Sequence, residues 1–274
     1  WSKAARDRIA DVGSIAPDVM FVAAGDFACD LVHDGVAAGG IAPTSLGALA
    51  VAGIPAKGLT LEPSAEDDAG IVHDLGAGVV AVAARYDVPR ESCREWATTL
   101  LSAVNPSRVV VLCAVDEHDV GYGVDGYRGS FVLDTAAQRC GIHSLSLSDD
   151  DDERSARALP AGALIEGIAA AVAARCEMTG VPARIVAVPA PSGTAGARGF
   201  GNGRHGGGPA RRRRGIGPGF GGGVDGAAAS HAVLLTQRAC GIDFGVFGPS
   251  VHSVGASSKK PTSAVVDDGM RVYT

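Results

Sequence analysis

Residues 78–115 read GVVAVAARYDVPRESCREWATTLLSAVNPSRVVVLCAV, and this stretch decides the fold. Gly78 to Ala84 and Val109 to Val115 are unbroken apolar runs of strand length. A strand open to water on one face alternates apolar with polar residues. These two do not, so both their faces must be covered. Between them Cys93, Trp96, Ala97, Leu100, Leu101 and Val104 recur at helical spacing and form one apolar stripe, which predicts a helix from Arg90 to Val104. Pro89 suits its first turn, Asp87 its cap, and Pro106 limits its end.

Outward from this unit the pattern repeats. Val19 to Ala23 and Arg184 to Val188 are further unbroken apolar runs. A second helix is expected from about Ala163 to Met178, with Leu164, Ile165, Ile168, Val172 and Cys176 on one face and Gly180 with Pro182 as its stop. A third spans Ala227 to Ala239, ahead of Cys240 and Gly241. Strands interleaved with helices imply an α/β layered sheet flanked by helices, here one domain over residues 1–241. Asp149 to Glu153 is an acidic run that reads as a solvated loop. Residues 197–226 are glycine-rich, with Arg211 to Arg214 in their middle. They offer too little apolar surface to offset ordering entropy and are expected to be a disordered insertion. Residues 242–274 thin in apolar content and read as a flexible tail, with Gly255 to Lys260 leading into its end.

Bulk properties exclude some functions. The chain of 274 residues carries a formal charge of −6, which speaks against nucleic-acid binding by the molecule as a whole. The insertion holds six arginines against one aspartate, so the remainder stands at about −11. No run of 18 apolar residues is present, so no membrane span is expected, and no signal peptide is visible. The chain opens on Trp1, so its true N-terminus is expected to lie upstream. Its six cysteines are widely spaced without a C-x-x-C pair, which suits reduced thiols in a cytosolic or nuclear protein.

Catalytic signatures are sparse. Gly217 to Gly222 formally matches G-x-G-x-x-G, but it follows an arginine run where a dinucleotide site needs a strand. His73 beside Asp74 could suggest acid/base work, but without a partner set it reads as a loop hydrogen bond. The sequence holds no G-x-S-x-G, H-E-x-x-H, P-loop or metal-spaced Cys/His cluster, so no catalytic, cofactor or metal residue is assigned. Scattered loops can still build an active site, which keeps an α/β enzyme of nucleoside-phosphorylase or hydrolase type as the alternative. RNA contact through the Gly/Arg tract is a third reading.

The chain ends in Val272, Tyr273 and Thr274. An apolar residue, a tyrosine and a terminal carboxylate at a mobile end suit a peptide that plugs a pocket, with the carboxylate facing a lysine. With this tail, three segments carry a resemblance to a known family. They are Asp18 to Gly25; Gly78 to Val88 with the Trp96 helix and Arg108 to Val115; and Ala163 to Val172 continuing through Gly180 to Val188. In order, they resemble the opening strand, the strand–helix–strand middle, and the late helix and final strand of the proteasome assembly chaperone 1 family, which also ends in an apolar-Tyr-Thr tail. The Gly/Arg tract departs from that family.

The resemblance implies a nucleoside-phosphorylase-like α/β body without catalytic activity or cofactor, since fold does not carry activity with it. It implies a heterodimer with proteasome assembly chaperone 2 that binds proteasome α-subunits and promotes α-ring assembly of the 20S core particle. By analogy with proteasome activators, Val272, Tyr273 and the Thr274 carboxylate would enter an inter-subunit pocket of the α-ring. A cytoplasmic location is implied, with nuclear or endoplasmic-reticulum association as further options.

Overall fold

A computed structural model describes residues 2, 5–6, 15–49, 70–84, 88–120, 127, 129–140, 156–190 and 224–241, with the backbone alone at 34, 35, 37 and 38. In chain order the elements are β1 (Val19–Ala24), α1 (Asp26–Ala38), β2 (Thr44–Ala48), β3 (Ile71–Gly76), β4 (Val79–Ala84), α2 (Arg90–Ala103), β5 (Arg108–Asp116), β6 (Phe131–Asp134), α3 (Ala136–Cys140), β7 (Arg157–Ala158), α4 (Gly167–Thr179), β8 (Ala183–Ala190) and α5 (Gly226–Cys240). The strands form one sheet in the order β2-β3-β4-β1-β5-β8-β6-β7.

The four apolar runs found in the sequence are its centre. β4, β1, β5 and β8 lie side by side and parallel, in register from Val19 opposite Val79 to Val109 opposite Ala183. All eight positions of β8 are buried. The side chains alternate between two cores. Met20, Val22, Val80, Val111 and Ile185 face α2 and α4, whereas Phe21, Ala81, Val110, Leu112 and Val186 face α1 and α5. Both faces are therefore covered, which is why these strands show no polar alternation. Trp96 on α2 is the largest side chain with no exposure.

Some boundaries differ from the sequence reading. Pro89, expected in the first turn of α2, occupies its cap position with a non-helical backbone and no side-chain bond. Asp87, expected to cap it, lies outside the described residues. The second expected helix starts at Gly167, not Ala163. Glu166 is extended and Gly167 has φ +63°, a left-handed value that breaks helical continuity. Leu164 is consequently outside the helix and 57% exposed, rather than on its buried face. The expected stop at Gly180 holds: its φ of +71° is left-handed and its N–H reaches the Cys176 carbonyl. The last residues of the expected insertion lead into α5: Gly226 is its first residue, and Asp225 caps it, its carboxylate accepting the Ala227 N–H. Residues 197–223 and 242–274 lie outside the described residues.

The flanking strands escaped the sequence reading. β3 and β4 form an antiparallel hairpin, β2 pairs antiparallel with β3, β6 runs antiparallel to β8, and β7 adds a two-residue parallel edge. All six cysteines are free thiols, and Cys140 is the exposed one. Burial pushes the thiols of Cys113, Cys176 and Cys240 up to about 12, which keeps them protonated and inert at neutral pH.

Candidate functional site

The site residues expected from the sequence, Val272, Tyr273 and Thr274, lie outside the described residues. Their point of departure is described. α5 ends at Cys240, and the positive charge of Arg108, at the first position of β5, pulls the Cys240 thiol against the upward push of burial. α5 packs against β8, β5 and β1, and residue 241 follows directly on its end.

One side-chain cluster brings a nucleophile and a base together across 101 residues of sequence. His231 on α5 presents its Nδ1 to Ser130, just ahead of β6. The Ser130 N–H donates to it at 3.0 Å and the Ser130 Oγ lies 3.1 Å away. The same Oγ is 3.4 Å from the Ala228 carbonyl of α5. Tyr127 donates its hydroxyl to the Ser130 carbonyl at 2.6 Å and receives the Arg157 N–H at 3.2 Å, while the Arg157 guanidinium stacks 4.3 Å from its ring centroid. The ring meets Phe131 edge-on at 5.3 Å. Gly129 is packed so tightly that a methyl there would collide with the Tyr127 hydroxyl.

This arrangement has the residue types of a Ser–His dyad without its access. Ser130 is 0% exposed, so no substrate carbon can approach its Oγ, and the imidazole nitrogen that would take its proton already accepts a backbone N–H. The chemistry the cluster performs is fastening: it ties α5 to the start of β6. The sequence reading found no role for His231, and nothing near it in sequence signals Ser130.

His73 and Asp74 do not form an acid/base pair. Both lie within β3 rather than in a loop, and adjacent strand residues point to opposite faces. Asp74 turns back to accept the Gly76 N–H at 2.8 Å, bracing the β3–β4 turn. The His73 Nδ1 is buried with no hydrogen-bond partner among the described residues, and burial lowers its pKa from the ordinary value. Asp74 and Asp18 line a cleft of about 310 Å³ between residues 15–18 and the β3–β4 turn. Among the described residues no group of three or more His, Cys, Asp or Glu is placed to hold a metal ion, and no described helix is long and apolar enough to cross a membrane.

At the opposite flank, Arg184 and Asp134 face each other across β8 and β6. The guanidinium donates from Nε and Nη2 to the two carboxylate oxygens, each at 2.7 Å, and the Arg184 side chain is only 6% exposed. The planar fork matches the carboxylate, the geometry that makes such pairs strong. Next to it, the Thr135 hydroxyl accepts the Ala183 N–H at 2.9 Å. These contacts hold β6 onto β8.

Comparison with family models gives no match, and comparison with curated proteins gives none either. Solved structures do resemble this one. PbaB of Pyrococcus furiosus, an archaeal proteasome activator, is similar with a TM-score of 0.51 and 10% identity over 83% of this chain and 85% of that one. PbaA of the same organism, an archaeal homolog of proteasome-assembly chaperone, gives 0.49 and 13% over 84% of each chain. A protein of unknown function from Thermoplasma acidophilum gives 0.47 and 13% over 70% and 75%. At these identities the likeness to PbaB shows a shared fold.

Proposed function

We propose that this protein is a proteasome assembly chaperone of the proteasome assembly chaperone 1 type. It pairs with proteasome assembly chaperone 2, and the pair binds α-subunits and promotes α-ring assembly of the 20S core particle. Val272, Tyr273 and the Thr274 carboxylate dock in a pocket between neighbouring α-subunits. The observation that carries this reading is the meeting of sequence and fold. The three segments that resemble the family supply β1, β4, α2, β5, α4 and β8, the centre of a fold similar to that of an archaeal proteasome activator. The tail adds the apolar-Tyr-Thr ending expected of the family.

A non-catalytic role fits the one Ser–His pair described above, which is closed to substrate. The physics favours a body joined to a tail. Three terminal residues bind weakly alone, because few contacts must offset the ordering of a mobile end. Tethered to a docked body they gain an effective concentration in the roughly millimolar range. A flexible stretch the length of residues 242–274 has a reach of about 30 Å, enough for a pocket beside the docked domain.

Affinity purification of the tagged chain from the cells that make it, with identification of the co-purifying proteins, tests the proposal. Proteasome α-subunits and a second, related α/β chain are the expected companions. Recovery of neither contradicts it.

A further inference from the structure

We draw no further inference here: the strongest candidate, the cleft between residues 15–18 and the β3–β4 turn lined by Asp18 and Asp74, carries none because two carboxylates alone point to no ligand, Asp74 already accepts the Gly76 N–H, and residues 7–14, just ahead of it in the chain, lie outside the described residues.

Discussion

The centre of the sheet and its flanks are held by different physics. β1, β4, β5 and β8 are fixed by apolar burial on both faces, with hardly a polar side chain among them. β6 is fixed by specific polar contacts: Arg184 to Asp134, Thr135 to Ala183, and Ser130 to His231. Burial is non-directional and tolerates repacking. A buried hydrogen bond is directional, and its loss strands the partner. Damage to the centre should therefore unfold the molecule, whereas damage to the flank should loosen one edge.

Trp96→Ala tests the centre most severely. The side chain has no exposure and belongs to the same core as residues of β1, β2 and β4. The loss should be about 3–5 kcal/mol in urea unfolding, with the whole sheet melting earlier. At the flank, Asp134→Ala leaves the Arg184 charge buried without its carboxylate and should cost about 3 kcal/mol. Replacing both members by apolar residues of similar size should recover most of that, and a double variant as unstable as Asp134→Ala would show that the pair is more than a satisfied burial. His231→Ala removes the acceptor of the Ser130 N–H and should cost about 1–3 kcal/mol. Hydrogen exchange should show that cost concentrated in 130–134 and α5; a loss spread evenly over the central strands would break the contrast.

The same contrast explains what the sequence disclosed. Double-sided burial writes itself into a run such as Val109 to Val115, and a helix stripe such as Cys93 to Leu100 is periodic, so the centre was legible residue by residue. The flanks were not. Phe131–Asp134 holds Phe131 and Val132 facing different cores, an exposed Leu133, and an aspartate whose partner is 50 residues away. Ser130 and His231 meet only because β6 and α5 adjoin. The start of α4 was misplaced because Leu164 and Ile165 continue the helical period by composition, while the backbone at Gly167 interrupts it. For the candidate site, the fold supplied the end of α5 at Cys240 and the sequence supplied the motif at Val272 to Thr274.

The smallest effect concerns His73 on β3. Burial lowers its pKa, so the unfolded chain binds the proton more readily than the folded one. Its contribution to stability is present above the ordinary imidazole pKa near 6.5 and is lost as pH falls below that, through the folded value. His73→Gln should flatten this acid-side loss in thermal unfolding below about pH 7. An unchanged slope would assign the loss to other groups.

The central claim is that the tail is a docking element on a chaperone body. Binding of the purified pair with proteasome assembly chaperone 2 to α-rings measures it directly, at one salt concentration, for the intact chain, for a chain lacking Val272 to Thr274, and for one extended beyond Thr274. Extension keeps every side chain but moves the carboxylate. Both changes should weaken binding by about tenfold or more without altering the fold or the pairing, the loss remaining partial because the body stays docked. Tyr273→Ala should weaken binding more than Tyr273→Phe, which loses only the hydroxyl. Equal affinity for the intact, truncated and extended chains would contradict the account.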